Sequence, residues 1–336
     1  MRALVTGGTG FIGSHVVRQL LNQKITVRCL IRASSNRSNL DDLPVEYVVG
    51  DLGDAPSLKV ALNDCDMLFH VAADYRLWTR HPEEMDRINV EGTRHLFLAA
   101  EQAHLSKIVY TSSVAAIGRP SVNGHLGIGH EGLDPTPRQL VGPYKRSKFA
   151  SDRLARDFAK KGWPIVIVNP AAPIGTFDIK PTPTGKMIVD FLNGKMPAFV
   201  DTGMNFVDVE DVAAGHWLAS QKGIVGERYI LGNKNMSLKD FLALVARVSG
   251  LPAPQIKIPY AVAYIAGAVS TGLSFFTGRE PAIPLDGVRM AHEPMYYDAG
   301  KAVRELALPQ TPVESAVRKA VEWFQANDYV RDRGSR

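Results

Sequence analysis

The sequence predicts an α/β fold with a doubly wound parallel sheet and a smaller C-terminal domain. Three observations support it: a strand, a glycine turn and a helix open the chain, short apolar strands then alternate with amphipathic helices, and this alternation fades beyond Pro170. Strands that alternate with helices form parallel sheets, because each helix carries the chain back over the sheet. The predicted fold class is therefore a Rossmann-type sheet with a smaller C-terminal substrate-binding domain.

The first turn has the features of a dinucleotide site. A strand around Leu4 is followed by Gly7, Gly10 and Gly13, and apolar residues then recur at helical period. Glycines let the backbone come close to a pyrophosphate, and the N-terminus of the helix offers it free N–H groups. We expect the cofactor to contact the following residues of this turn: Gly7, Thr9, Gly10, Phe11, Ile12 and Gly13.

The second strand, residues 26–31, ends without the carboxylate that often bonds the ribose of NAD. Arg32 and Arg37 flank the loop that follows. Two cations without a carboxylate suit a 2′-phosphate, so NADP(H) is favoured over NAD(H). The alternative is that both arginines are solvated loop charges.

Further strands are predicted at 45–49, 67–71, 107–112 and 164–168, with helices between them, notably at 89–104 and 144–160. Ligands collect at the carboxyl ends of parallel strands. Small residues there would let the backbone lie against the cofactor. We therefore expect cofactor contacts from residues that end the fourth and fifth strands: Val71, Ala72, Ala73, Thr111 and Ser112.

Beyond Pro170, prolines and glycines punctuate the chain, which is typical of a loop-rich second domain. We assign residues 1–174 to the nucleotide-binding domain, with returns to its sheet near 206–232 and 285–300. Residues 175–205 and 233–330 form the smaller domain, with amphipathic helices at 237–249 and 312–327. Residues 331–336 are polar and expected to fray.

The composition and the residue spacing argue against several kinds of partner and ligand. The 336 residues carry a net charge of +5 without a Lys/Arg block, so no nucleic-acid partner is expected. Cys29 and Cys65 have no CxxC spacing and read as free buried thiols in a reducing compartment. His70 and His125 belong to no ligand cluster, so no metal is expected and both are assigned structural roles. No signal peptide precedes the first strand, which predicts a cytoplasmic protein.

Residues 260–278 carry no charge over nineteen positions. This length is close to that of a membrane span, but glycines and hydroxyl side chains dilute its hydrophobicity. We prefer a buried or pocket-lining helix. Contact with a membrane surface is the second alternative, and a true span is the third.

Tyr144 and Lys148 are four residues apart at the start of a predicted helix and therefore share a face. A phenol ordinarily loses its proton near pH 10, and a neighbouring ammonium lowers that pKa. Ser113, at the end of the fifth strand, can hydrogen-bond the substrate oxygen that Tyr144 protonates. The sequence therefore predicts a catalytic set of Ser113, Tyr144 and Lys148.

Together, these motifs resemble the extended branch of the short-chain dehydrogenase/reductases. The resemblance covers essentially the whole chain and rests on TGGTGFIG, GDL at 50–52, HVAA at 70–73, YTSS at 110–113, and Tyr144 with Lys148. It implies that Asp51, with Leu52 beside it, contacts adenine and that Asn89 supports the active site. It also implies that Tyr144 and Lys148 contact the cofactor, Lys148 through the nicotinamide ribose. The turn from Pro170 to Pro173 is expected to shape the nicotinamide pocket.

Other segments resemble the hopanoid-associated sugar epimerases, a bacterial group related to dihydroflavonol 4-reductases and aldehyde reductases. They are residues 73–78, 180–185, 190–194, 200–203 and 284–291. The resemblance implies hydride transfer at a sugar or carbonyl carbon and leaves two reactions open, epimerisation and net reduction by NADPH. Dehydration is disfavoured because no carboxylate adjoins Ser113. A non-catalytic nucleotide sensor is a third alternative, which the intact catalytic set opposes.

Substrate contacts are expected from Tyr75, Trp78, Ser113 and Lys180, with Arg76 in the same loop. The alternative for this loop is ordinary packing. The substrate is a small sugar or carbonyl compound, and a lipid-linked form is one option. The resemblance also implies a homodimer through the helices at 89–104 and 144–160, although their apolar residues could instead cover the sheet: Ala99, Ala100, Ala103, Phe149 and Leu154.

Overall fold

The computed structural model describes residues 1–331, so the expectation for 332–336 lies outside the described residues. The strands are β1 (Arg2–Thr6), β2 (Thr26–Ile31), β3 (Glu46–Val49), β4 (Met67–His70), β5 (Lys107–Thr111), β6 (Ser121–Val122), β7 (His125–Leu126), β8 (Ile165–Pro170), β9 (Ala172–Ile174), β10 (Ala198–Val200), β11 (Gly203–Asp208), β12 (Arg228–Leu231), β13 (Lys234–Ser237) and β14 (Ile256–Ile258).

The α-helices are α1 (Phe11–Asn22), α2 (Ala55–Leu62), α3 (Pro82–Asp86), α4 (Gly92–Ala100), α5 (Gly142–Lys160), α6 (Pro183–Leu192), α7 (Val209–Lys222), α8 (Leu238–Ser249), α9 (Tyr260–Thr277), α10 (Leu285–Met290), α11 (Gly300–Leu306) and α12 (Val313–Ala326). A π-helical segment, Arg87–Glu91, joins α3 to α4.

Seven parallel strands form the main sheet in the order β12-β8-β5-β4-β1-β2-β3. The chain builds outward from β1 to β3 and then crosses to β4 on the other side of β1. The predicted doubly wound parallel sheet is therefore confirmed. In such sheets the ligand crevice opens where the strand order reverses, here between the carboxyl ends of β1 and β4.

Helices cover both faces of this sheet. Val5 and Phe69 pack on one face with α1, α7 and α11, whereas Leu4 and Leu68 pack on the other with α2, α4 and α5. Alternate residues of a strand point to opposite faces, so strands buried on both sides are apolar throughout. Several residues considered for a dimer contact belong to this second core and cover the sheet: Ala99, Ala100 and Leu154.

A separate core lies in the C-terminal half. Helices α6, α8 and α12 pack on a three-stranded sheet of order β13-β11-β9. The rings of Phe206 and Phe241 stack at its centre, with centroids 4.2 Å apart. Ser237 caps α8 by accepting the N–H of Asp240 at 3.0 Å, as the amphipathic pattern predicted.

We expected the chain to return to the main sheet near 206–232 and 285–300, and the structure differs from this prediction in both segments. Only β12 joins that sheet, because β11 pairs with β9 and β13 instead. Asp208 ends β11 by capping α7, and Val212 and Ala213 of that helix then pack in the core of the main sheet. The stretch 285–300 contains α10 and isolated bridges rather than a strand of the main sheet. The next helix, α11, packs on one face of the main sheet.

We expected 260–278 to form a buried or pocket-lining helix. The buried alternative is wrong, whereas Tyr260 and Tyr264 do line a cleft. The helix forms as α9, but of its side chains only Gly267 and Ser274 are buried. Small and hydroxyl-bearing residues make the inner face, where Ser270 and Thr271 accept N–H groups of the following loop. Among the described helices, α9 is the one apolar and long enough to cross a membrane, with mean hydropathy 1.3 and 11% of its residues buried.

Candidate active site

The glycine turn after β1 admits only glycine at two positions. Gly7 has a φ of +71°, and a Cβ there would lie 2.6 Å from the backbone N of Ala72. A Cβ on Gly13 would collide with the carbonyl oxygen of Gly7. The turn is closed by the N–H of Gly10, which donates to Gly7 O at 3.0 Å. These contacts hold the ends of β1 and β4 and the start of α1 together.

The N-terminus of α1 fits a pyrophosphate. Gly10 caps the helix without a side-chain hydrogen bond, and the first turn carries no acidic residue. Its N–H groups and the positive end of the helix dipole therefore face the crevice between β1 and β4 unopposed. The residues at this site thus fit a bound dinucleotide, which Thr9, Phe11 and Ile12 would border.

Asn39 braces this turn, although sequence reasoning missed it. Its amide donates to Thr9 O at 3.2 Å and to Phe177 O at 3.0 Å, which ties the turn to the loop after β9. The side chain is buried. No local pattern distinguishes such an asparagine, because its partners lie 30 and 138 residues away.

The ends of β2 and β3 lie beside the turn. Arg32 is exposed, and the Arg37 guanidinium lies 5.0 Å from the centre of the Tyr47 ring. Asp51 is exposed and accepts the N–H of Gly53 at 2.8 Å, while Leu52 O hydrogen-bonds His95 at 3.2 Å. Both arginines therefore remain in reach of solvent at the end of the sheet where a dinucleotide would extend.

Val71, Ala72 and Ala73 follow β4. The N–H of Val71 donates to Thr6 O at 3.2 Å, and that of Ala72 to Thr6 Oγ1 at 3.3 Å. His70 hydrogen-bonds Thr6 at 2.7 Å and Thr93 through its other ring nitrogen at 2.9 Å. Burial, with Lys148 adding to it, lowers the pKa of His70 to about 3, so the ring stays neutral and holds this end of the strand.

Ser113, Tyr144 and Lys148 come together at the end of β5. Tyr144 Oη donates to Ser113 Oγ at 3.3 Å, and Lys148 Nζ donates to Thr111 O at 2.9 Å. Ser113 Oγ also accepts the N–H of Ala115 at 3.1 Å. Asn169, at the end of β8, donates to Ser113 O at 3.0 Å. This asparagine is a further positioning residue that the sequence analysis did not select.

The electrostatics of this cluster differ from expectation. Burial raises the pKa of the Tyr144 phenol, and the hydrogen bond with Ser113 opposes it. Burial lowers the pKa of Lys148 to about 8, although Asp152 opposes that shift. Lys148 is not among the groups that shift the pKa of the phenol, so the predicted lowering of that pKa by Lys148 is not seen in this structure.

The side chains of Thr111 and Ser112 are committed to the protein interior. Thr111 Oγ1 hydrogen-bonds the ring of His216 at 2.9 Å, and Ser112 Oγ donates to Asp152 at 2.7 Å. Asp152 also lies 3.5 Å from Arg228. These two residues can therefore contact the crevice only through their backbone groups. The carbonyl of Thr111 already accepts a hydrogen bond from Lys148 Nζ.

Asn89 joins the candidate substrate loop to α5. Its carbonyl accepts the N–H of Asp74 at 2.7 Å, and its amide donates to Asp74 O at 2.8 Å and to Ser147 Oγ at 3.0 Å. It lies in the π-helical segment, a local distortion that often marks functional sites. The support from Asn89 that the family resemblance implied thus has a direct physical form.

The residues expected to touch substrate lie on two neighbouring loops. Tyr75 Oη is 3.5 Å from Lys180 O, and burial raises its pKa to about 12. Trp78 lies edge-on to Phe275 of α9, with centroids 6.1 Å apart, and its Nε1 is a buried donor without a partner in residues 1–331. Arg76 is paired with Asp74 and Glu84. Pro170 ends β8 and Pro173 lies in β9, which leads into the second of these loops.

A glycine turn that opens a doubly wound parallel sheet, with a tyrosine and a lysine on the helix after β5, is the arrangement of NAD(P)-dependent short-chain dehydrogenase/reductase enzymes. The comparisons agree. The model of the NAD dependent epimerase/dehydratase family matches residues 3–232, and the chain belongs to this family.

The chain is 48% identical over 331 residues to a Synechocystis protein provisionally named dihydroflavonol 4-reductase, covering 97% of this chain and 95% of that one. It is 35% identical to sterol demethylase protein B of Methylococcus capsulatus, covering 98% and 100%. The crystal structure of gox2253 superposes with a TM-score of 0.86 at 42% identity, covering 98% and 99%. These similarities extend over both domains.

Proposed function

We propose that the enzyme transfers hydride between a nicotinamide cofactor and a carbonyl carbon, and that its net reaction is reduction of the carbonyl to an alcohol. The observation that carries this proposal is the half-buried Tyr144 phenol, hydrogen-bonded to Ser113 with Lys148 one helical turn away. A phenol is protonated at neutral pH and can therefore donate the proton that reduction requires.

Each residue of the set has a distinct role. Ser113 Oγ hydrogen-bonds the substrate oxygen, and Tyr144 Oη donates the proton that this oxygen needs as it becomes a hydroxyl. Lys148 holds the end of β5 through Thr111 O and supplies positive charge beside the phenol. The cofactor supplies or accepts the hydride when bound, held by the glycine turn, the ends of β3 and β4, Tyr144, Lys148 and the turn at 170–173.

NADP(H) is the cofactor that this site favours. The loop after β2 presents exposed Arg32 and Arg37, without a carboxylate at the end of the strand. Guanidinium groups pair well with a 2′-phosphate, whereas a carboxylate at that position would repel it. Cells keep NADPH largely as a reductant, so this preference also suits net reduction.

A sugar epimerase is the second candidate. The family match and the segments that resemble hopanoid-associated sugar epimerases support it. Epimerisation takes a proton from an alcohol first and returns it later, so it must begin from the phenolate. Positive charge from Lys148 and from the nicotinamide ring of an oxidised cofactor would favour that phenolate, so the catalytic set serves both reactions and the preference for reduction rests on the cofactor.

The substrate that we propose is a carbonyl compound with an apolar or lipid-linked part. Trp78 and Tyr75 supply aromatic surface, and the free Nε1 donor of Trp78 can bond one polar group. The name of the Methylococcus relative, at 35% identity, refers to a sterol. A homodimer through the outer faces of α4 and α5 remains a proposal, to which exposed Leu98 and half-buried Phe149 could contribute.

One experiment distinguishes the two reactions. The purified protein is denatured, the released nucleotide is identified by mass, and NADPH oxidation is followed with a panel of aldehydes and ketones. Steady NADPH oxidation in proportion to alcohol formed supports the reductase. Tightly held NAD with no net consumption of NADPH identifies an epimerase and contradicts the proposal.

A further inference from the structure

Helix α9 presents one apolar stripe to solvent. The stripe consists of Val262, Ile265, Val269, Leu273 and Phe276, whose spacing of three or four residues places them on a single face. Their exposed fractions run from 55% for Val262 to 89% for Phe276. The stripe extends for about 21 Å along the helix axis. Contiguous exposed apolar surface of this kind marks an interaction site.

The opposite side of α9 is fastened to the protein. Gly267 lies against Val288 of α10, where a Cβ would come within 3.0 Å of its side chain. Ser270 Oγ and Thr271 Oγ1 accept the N–H groups of Ile283 and Leu285 at 3.2 and 2.9 Å. The helix therefore lies along the surface of the domain with its larger apolar side chains outward.

A cationic cleft of about 550 Å³ adjoins the first turns of α9. Tyr260 and Tyr264 form one wall, and the first turn of α5 forms another. The cations that line the cleft are Arg119, Arg138, Lys145, Arg146 and Arg289, and its acidic residue is Glu293. Glu293 acts on Arg119 and Asp286 lies 3.6 Å from Arg289, so two carboxylates partly offset five cations and the cleft keeps a positive excess.

Lys145 is the strongest sign of a ligand in this cleft. Its side chain is only 6% exposed, yet within residues 1–331 its ammonium group makes no hydrogen bond or ion pair. Burial and nearby Arg119 lower its pKa to about 8. Arg119 itself donates to Pro294 O rather than to a carboxylate. The ammonium nitrogen is not among the fully enclosed polar atoms of the described residues, so it reaches the cleft, where a bound anion would pair with it.

We propose that α9 docks the enzyme on an anionic lipid bilayer, with the apolar stripe in the interfacial region and a phosphate-bearing headgroup in the cationic cleft against Lys145. An apolar stripe beside a cationic cleft complements a surface that is apolar within and negatively charged outside. A second copy of this chain fits less well, because it would cover the apolar stripe and leave the cationic cleft without an anion.

Docking in this way places the bilayer beside the candidate substrate loop. Trp78 packs on Phe275, and Arg80 donates to Phe275 O at 2.8 Å, so this loop and the end of α9 form one surface. An apolar carbonyl compound could then pass from the lipid to the loop without crossing water. The inference concerns where the enzyme sits and holds for either direction of hydride transfer.

The test is co-sedimentation of the full chain with lipid vesicles. Wild-type protein is expected to pellet with vesicles of phosphatidylcholine containing about 30% phosphatidylglycerol, and about tenfold less with phosphatidylcholine alone. The double variant Ile265→Glu/Phe276→Glu is expected to lose this binding. Val60→Glu, at a position of α2 that is 64% exposed, is the matched control and keeps it. Lys145→Gln reduces binding to anionic vesicles toward the level on neutral ones.

Three results would overturn the proposal. The first is equal pelleting of wild type and the double variant. The second is a wild-type dimer, seen by sedimentation velocity, that the double variant dissociates, since the stripe would then join two copies. The third is binding of soluble glycerol phosphate that depends on Lys145 but is accompanied by no vesicle binding, since the cleft would then serve a free phosphate compound. Circular dichroism of each variant confirms that it is folded.

Discussion

Replacing Tyr144 by Phe removes one oxygen atom from the catalytic set. In the structure this phenol is hydrogen-bonded to Ser113 Oγ at 3.3 Å, and Ser113 keeps its bond from the Ala115 N–H at 3.1 Å after the change. The cost to folding is therefore that of one hydrogen bond, about 1 kcal/mol. The glycine turn and α1 are untouched, so cofactor affinity should stay within about threefold.

The loss in turnover should be far larger. A positioned proton donor contributes about 100- to 10,000-fold to a reaction of this kind, which corresponds to about 3–5 kcal/mol of the barrier. A water molecule in its place would lack the fixed position that the helix and the hydrogen bond with Ser113 Oγ give the phenol. We therefore expect Tyr144→Phe to lower the rate of NADPH oxidation by at least about 100-fold.

The matched control is Tyr110→Phe. Tyr110 is buried, and its hydroxyl donates to Ser151 Oγ at 2.7 Å, one strand position from the cluster and away from the crevice. The Tyr110→Phe variant should lose a similar amount of folding stability and keep most of its turnover. The assay follows NADPH absorbance with the best carbonyl substrate, and unfolding in denaturant is measured alongside. Turnover of Tyr144→Phe within a few-fold of wild type would refute its assignment as the proton donor.

Two further predictions concern the cofactor and pH. Arg32→Ala should weaken binding of NADP by about tenfold and leave NAD nearly unchanged in a fluorescence titration, since the lost group pairs only with the 2′-phosphate; equal effects on both would show that Arg32 does not contact it. Burial raises the pKa of Asp178 from 3.8 to about 6, so its contribution to stability is fully present below pH 4 and is lost as the pH rises through 6. Between those values, the unfolding free energy of wild type relative to Asp178→Asn should fall by about 3 kcal/mol in denaturant titrations; a difference that does not change with pH would contradict this assignment.

What the sequence could predict was local. The glycine turn, strands β1 to β5 and β8, and helix α8 each depend on residues close together in the chain, and each forms near its predicted bounds. Tyr144 and Lys148 were recognisable for the same reason, because helical spacing alone places them on one face. Ser113 could be added since the carboxyl ends of parallel strands meet at one edge of the sheet.

The remaining features depend on partners distant in sequence. Asn39 and Asn169 act on carbonyl groups far along the chain, and no pattern in their own surroundings marks them. The alternating apolar residues of β11 suit either sheet, and only its pairing with β9 and β13 decides between them. The sequence also did not indicate that α9 is exposed, because a helix without charges has no polar face to identify the side that meets solvent.

Lys145 shows how two binding sites can share one helical turn. It follows Tyr144 directly and stands inside the Tyr-x-x-x-Lys motif, where a pattern assigns intervening residues no role. Successive residues of an α-helix point about 100° apart, so the residue after Tyr144 is directed away from the nicotinamide crevice. The structure accordingly places Lys145 in the cationic cleft beside α9. The same turn of α5 that presents the proton donor to the substrate thus presents a buried, unpaired cation to the surface that we assign to the lipid.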